Sequence, residues 1–206
     1  MRKSISYLFL LVQLIPATVF AGDYKLVLGK GFEVCEAYLK NLNSFPKEPP
    51  MVCERPLNPK LSELTKPTWE PVNVMEQMDL LRNVEQHLRR MTDEQWNQQH
   101  EQWAAKVKER VAKGWLSMST TELDVDRDGT LERVLRYAND TPPKCDPKNA
   151  SFYANPGGSP FHFVLTPDQR GLDTWKSGNF NMGGRPEIFL YKGRVYLTTW
   201  VGNLKF

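Results

Sequence analysis

The amino-acid sequence predicts an α+β fold, with helices early and an antiparallel sheet late, and three observations carry the prediction. Apolar residues recur at helical spacing between Asn73 and Gly114. After Gly114 the apolar stretches are short, β-branched or aromatic, and separated by turn-forming residues. A Lys192-Gly193 turn then joins two apolar runs near the carboxyl end, as in a β-hairpin. No internal repeat is visible, which argues against a propeller or a solenoid.

The elements follow in order. Tyr24, Leu26 and Leu28 alternate as in a short strand. From Glu33 the residues Val34, Cys35, Tyr38, Leu39 and Leu42 step as on a short helix that buries Cys35. Residues 46–71 hold seven of the fifteen prolines, so no regular helix forms there. That stretch is expected to wrap the domain in extended form, within a proline-rich wrapping segment of residues 22–72. Residues 73–114 predict a helical hairpin. Asn73 with Glu76 makes a capping box for a helix carrying Val74, Met78, Leu81, Val84 and Leu88. Thr92 with Gln95 opens a second helix, with Trp96, His100, Trp103, Val107 and Val111 on one face. Asp93 and Glu94 at its start and Lys108, Arg110 and Lys113 near its end suit the helix dipole, and Gly114 stops it. A break around Met91 separates the two helices.

Residues 115–206 form the β-rich part. Trp115–Leu123 and Leu131–Tyr137 read as two strands joined by an acidic turn, and Phe161–Leu165 as another strand before a turn at Pro167-Asp168. Residues 139–160, with Cys145, and residues 171–186 read as loops. Ile188–Tyr191 and Val195–Trp200 form the final hairpin.

The amino terminus has the pattern of a signal peptide. Arg2 and Lys3 precede the apolar run Ile5–Val19, and Val19-Phe20-Ala21 offers small residues before a cleavage at Gly22. The run is too short for a comfortable membrane span, and no later stretch is apolar enough for one. Residues 1–21 are expected to be removed, and residues 22–206 to be one periplasmic or secreted domain. Removal takes away two cations and no anion, so 25 Lys+Arg then face 24 Asp+Glu and the net charge falls from +3 to +1. So slight an excess is no argument for nucleic-acid or membrane partners. In an oxidising compartment the three cysteines predict one disulfide, and Cys35–Cys53 is the pairing chosen, with Cys145 left over. No C-x-x-C pair or nearby histidine makes them a metal site.

The run from Asp124 to Glu132 is the one stretch that states a chemistry. Asp124, Asp126, Asp128 and Glu132 stand at relative positions 1, 3, 5 and 9, with Gly129 at position 6. Carboxylates at this spacing repel each other unless a cation gathers them, and calcium takes flexible sets of oxygen ligands. Magnesium fits less well, because it keeps several waters. An EF-hand would need a bidentate Glu at position 12 and flanking helices. Position 12 is Leu135, and the flanks read as strands. The loop resembles the D-x-D-x-D-G-x-x-[DE] calcium loops of FG-GAP-type bacterial β-proteins. That resemblance implies Asp124, Asp126, Asp128 and Glu132 as ligands, with the Thr130 carbonyl as a fifth; the ion's expected role is structural, because it would tie two strands and cancel the repulsion of the acids. It covers nine residues of loop and carries no fold or activity with it. The bland account is a tight Asp/Gly turn with solvated acids, partly neutralised by Arg127 and Arg133. The V-C-E-A-Y and M-V-C-E-R-P segments and the final F-L-Y-K-G-R-x-Y-L hairpin also resemble exported proteobacterial proteins, a likeness that brings no activity.

Catalysis has little support. His87 and His100 fall on the predicted helices and His162 on a strand, where it is expected at the surface. No G-x-S-x-G, H-E-x-x-H or Gly-rich phosphate loop occurs. Asp168 and Asp173 are better explained as turn and loop acids than as a glycosidase dyad. Of the six tryptophans, Trp96 and Trp103 fall in the core by helical phase, and Trp175 is the least explained by packing. Its loop, with Arg170, Asn179, Asn181 and Arg185, is the candidate recognition surface, and a solvated loop is the alternative. The expected function is therefore that of an exported, non-enzymatic protein with a structural calcium loop, binding a protein or glycan partner of the cell envelope. Two other readings stay open: a cell-envelope hydrolase without a recognisable motif, and a lysozyme-inhibitor-like or toxin-neutralising protein. A cleft of convergent ionisable groups would favour the hydrolase, and an apolar or aromatic patch near Trp175 the binder.

Overall fold

The computed structural model describes residues 24–26, 29–45, 56–98, 100–139, 160–178 and 185–200, with the backbone alone at 100–101, 185–186 and 199–200. In chain order the elements are α1 (Glu33–Leu42), β1 (Leu64–Thr65), β2 (Glu70–Val72), α2 (Met78–Arg89), α3 (Asp93–Asn97), α4 (His100–Ala112), β3 (Leu116–Leu123), β4 (Glu132–Asn139), β5 (Phe161–Leu165), β6 (Leu172–Asp173), α5 (Thr174–Gly178), β7 (Arg185–Tyr191) and β8 (Arg194–Trp200). This is the α+β class. The strands make two antiparallel sheets, β2-β3-β4-β5-β6 and β1-β7-β8, to each of which residues 22–72 add one short edge strand, β2 and β1.

Alternation along the strands sorts the core into layers. Leu135 and Tyr137 of β4 and Phe163 and Leu165 of β5 face Leu81, Val84, Trp96, Trp103 and Val107 of the helices. Their neighbours Val134 and Val164 point the other way, onto Ile188, Leu190 and Val195 of the second sheet. Phe189 and Tyr191 in turn face away from the first sheet and pack on Val34 and Tyr38 of α1. The order is helices, five-stranded sheet, three-stranded sheet, helix. Both sheets are covered on two faces, and β5, at the centre of the stack, is apolar except for His162.

The second predicted capping box forms as expected. Thr92 Oγ1 accepts from the Gln95 N–H at 3.3 Å, and Gln95 returns a bond from the Thr92 N–H at 2.9 Å. The helix it opens is not continuous, however, since α3 ends at Asn97 and α4 begins at His100. Trp96 and Trp103, seven residues apart, are nonetheless both buried with their rings 4.9 Å apart, so two turns of helical phase survive the break. The Asn73–Glu76 pair does not cap α2. Asn73 Oδ1 accepts from the Met75 N–H at 3.1 Å, closing a turn two residues on, and α2 begins only at Met78. A short side chain that satisfies the i+2 donor competes with the helix instead of starting it.

Other expectations also change. Residues 24–26 are not strand, because the Asn43 side chain takes the partner's part: the Tyr24 N–H donates to Oδ1 at 2.9 Å and Nδ2 donates to the Tyr24 carbonyl at 3.2 Å. Residues 171–178, read as loop, hold β6 and α5. Asp173 Oδ1 accepts from the Lys176 N–H at 2.9 Å, and Ser177 Oγ accepts from the Val164 N–H at 2.9 Å, fastening α5 to β5. The predicted Cys35–Cys53 bridge is not formed. Cys35 is a half-buried free thiol on α1, set against Gly29, where an added Cβ would stand 2.7 Å from its sulfur. Cys53 and Cys145 lie outside the described residues, as do the leader and most of the loop 139–160. No helix among the described residues is long and apolar enough to cross a membrane.

Candidate metal centre

The acidic turn joins β3 to β4 in the register Leu123↔Glu132, at the edge where the two sheets meet. Val125 packs into the apolar layer between the sheets, and the Arg127 guanidinium lies 5.2 Å from the Tyr196 ring centroid on β8. Two left-handed residues, Arg127 (φ 65) and Gly129 (φ 88), reverse the chain. Nothing lies within 4 Å of a Cβ built on Gly129, so conformation and not space favours glycine there.

Asp124, Asp126 and Asp128 each bring a carboxylate oxygen within 4.8 Å of the others, a group able to hold a metal ion. Each also closes part of the loop. Asp124 Oδ2 accepts from the Gly129 N–H at 3.2 Å, Asp126 Oδ1 from the Asp128 N–H at 3.4 Å, and Asp128 Oδ1 from the Thr130 N–H at 2.7 Å. The second Asp124 oxygen, Oδ1, is buried and has no donor among the described residues. An anionic oxygen without a donor is an acceptor prepared for a cation. On this count the residues fit a hard metal ion.

The fourth acid behaves differently. Glu132 stands apart from the three-aspartate group, and both its oxygens are engaged: Oε2 accepts from the Val125 N–H at 3.0 Å, and Oε1 from Lys176 Nζ at 2.5 Å. The same ammonium reaches Asp126 Oδ2 at 2.8 Å. Lys176 thus gives the loop a tethered cation, a part expected of Arg127 and Arg133. Those two turn elsewhere, Arg127 to Tyr196 and Arg133 to Gln169 and Thr120. The hydrogen bond from Lys176 holds the Asp126 carboxyl below its usual range, and the bonds to Asp126 and Glu132 hold the Lys176 ammonium protonated well above its own. Sequence reading missed Lys176 because it lies 44 residues beyond Glu132.

Beside it, Trp175 is 90% exposed, the most exposed large hydrophobic side chain among the described residues. Arg170 is exposed too, its carbonyl accepting from Asn83 Nδ2 at 2.8 Å. Asn179 and Asn181, and the side chain of Arg185, lie outside the described residues.

A second polar centre escaped the sequence reading altogether. Glu85 of α2 is 2% exposed and accepts four hydrogen bonds: from Trp103 Nε1 at 2.8 Å, Arg110 at 2.7 Å, Arg89 at 3.2 Å and the Tyr137 hydroxyl at 3.0 Å. Burial and the adjacent carboxylate raise the Tyr137 phenol well above its ordinary value, so Tyr137 is the donor. With its lone pairs filled, Glu85 serves as a hub joining α2, α4 and β4, and not as a proton acceptor for substrate. The signal was present: Glu85 sits four residues after Leu81 and three before Leu88, on the apolar stripe.

The remaining candidates find structural roles. His162, expected at the surface, is 3% exposed, with its ring 5.6 Å from that of Trp69. The second sheet and Trp69 cover the face that alternation turns outward from Phe163. Asp168 accepts from Thr166 Oγ1 at 2.5 Å and from the Arg170 N–H at 3.2 Å, holding the turn, while Asp173 caps α5. No family model, curated protein or solved structure matches the chain. Function therefore has to be argued from the sites themselves.

Proposed function

We propose that the chain is an exported, non-enzymatic binding protein whose Asp124–Glu132 turn takes up calcium. The observation that carries the reading is the convergence of Asp124, Asp126 and Asp128 carboxylates within 4.8 Å. Calcium suits three carboxylates completed by carbonyls and waters, whereas magnesium holds fewer protein ligands. Asp124 Oδ1 and the outer oxygens of Asp126 and Asp128 are the leading ligands, with the Thr130 carbonyl beside them. Lys176 holds the outer oxygen of Asp126 as well as Glu132, so Asp126 shares that oxygen with the lysine and Glu132 joins only if Lys176 withdraws. The apolar leader Ile5–Val19 and the small residues before Gly22 support export. In an extracellular setting, affinity on the order of 10⁻⁴–10⁻³ M matches this kind of module.

The ion's part is structural. It neutralises the turn between β3 and β4 at the edge shared by the two sheets, so its binding adds to folding stability. The partner surface is the adjoining one, where exposed Trp175 and Arg170 offer an aromatic face and a cation to a protein or glycan. Thermal unfolding in calcium against EDTA tests the metal reading. The midpoint should rise with calcium in the millimolar range and the rise should vanish in Asp124→Asn. Equal midpoints in calcium and EDTA would refute it.

A further inference from the structure

A cavity of about 240 Å³ opens on the helical side of the molecule, away from the acidic turn, between the end of α2, α3, α4 and Trp115. Three tryptophans, Trp96, Trp103 and Trp115, and three cations, Arg89, Lys106 and Arg110, line it. The anion on its rim, Glu109, is taken by Lys113 at 2.5 Å, and the Lys113 ammonium lies 4.4 Å from the Trp115 ring centroid. Glu85 lies beneath. Arg89, Lys106, Arg110 and Lys113 against Glu85 and Glu109 leave two positive charges in excess.

The donors are fixed before any ligand arrives. Glu85 holds Arg110 at 2.7 Å and Trp103 Nε1 at 2.8 Å, so neither side chain is free to swing away. Two further donors on lining residues, Arg110 Nε and the indole Nε1 of Trp96, are buried behind the wall with no acceptor among the described residues. The complement is an anion with ring-shaped apolar surface, because the wall is aromatic and the excess charge of the lining is positive. The volume falls below that of common drug-sized pockets and admits a single ring.

We propose that this cavity binds a small organic carboxylate of one-ring size, its carboxylate against Arg110 and Lys106 and its ring against the tryptophan wall. The inference is independent of the calcium turn. Tryptophan fluorescence of the purified chain, titrated with glucuronate and with benzoate, tests it, glucose and inorganic phosphate serving as controls. Saturable quenching by either carboxylate is expected, without response to glucose and with much weaker response to phosphate. The more effective carboxylate tells an acidic sugar from an aromatic acid. Lys106 is exposed and apart from the Glu85 hub, so Lys106→Gln should keep the circular dichroism spectrum and weaken binding roughly tenfold, the scale of one charge-assisted hydrogen bond. The proposal is overturned by a linear, unsaturable response to both carboxylates, by phosphate binding as tightly as they do, or by undiminished binding in Lys106→Gln.

Discussion

At the scale of single residues, the largest stake lies in Glu85. Its carboxylate has left water completely and is matched by two guanidinium groups, an indole and a phenol. Removing one member of a buried charged set leaves the others uncompensated, which costs about 3–5 kcal/mol. Glu85→Ala should therefore lower the denaturant midpoint sharply, while Tyr137→Phe, which removes one donor to a charged acceptor, should cost about 1.5–3 kcal/mol. Tyr137 also sets an alkaline limit. Its folded pKa is raised from the ordinary 10.0, so its contribution is complete below that pH and is lost as pH rises toward the folded value. Unfolding free energy should fall above pH 10 in the parent and less steeply in Tyr137→Phe; equal slopes would contradict the assignment. Of these residues the sequence showed an acid on an apolar stripe, a sign that was there to be taken. It could not show Tyr137 as partner, because 52 residues and a change from helix to sheet separate the two.

At the scale of elements, what was legible in the sequence followed local chemistry. The Thr92–Gln95 box, the Gly114 stop, β5 and the register of the last hairpin each depend on residues within one turn of each other. Gly114 shows φ 64, with the Trp115 N–H bonded to the Arg110 carbonyl at 2.8 Å, the closure that a helix-ending glycine makes. Lys192 and Gly193, at φ 50 and φ 76, form a turn with both central residues left-handed, the form that matches strand twist. Gly193→Ala should thus destabilise by about 1–2 kcal/mol, the cost of holding an L-residue there, since nothing within 4 Å would clash with the new methyl. Urea denaturation measures it, and an unchanged midpoint would mean that the turn relaxes into another form. Lys192 also reaches Glu33 of α1 at 2.8 Å, tying the hairpin tip to the outer helix. Elements fixed by distant partners were not legible: β6 is two residues long, and α5 depends on a serine bonded to β5.

Across the whole molecule, the acidic turn is a junction and not an isolated loop. It ends the β3–β4 hairpin, borders the layer between the two sheets, and is held by a lysine from α5, itself fastened to β5 through Ser177. One ammonium bonded to Asp126 and Glu132 supplies a single charge where a calcium ion would supply two, and it draws off an oxygen the ion would use. On the proposed reading lysine and calcium would compete for Asp126, and removing the lysine would favour the metal. Lys176→Met keeps the length of the side chain and deletes its charge. In EDTA the variant should unfold at a lower temperature than the parent, because Asp126 and Glu132 lose their cation and repel the neighbouring acids. In calcium the order should narrow or reverse, and isothermal titration should show tighter calcium binding by Lys176→Met than by the parent. Weaker binding by the variant would mean that the lysine shapes the aspartate group and does not compete with the ion. Tighter binding, together with loss of all calcium response in Asp124→Asn, would place the metal on the three aspartates and the lysine as its stand-in.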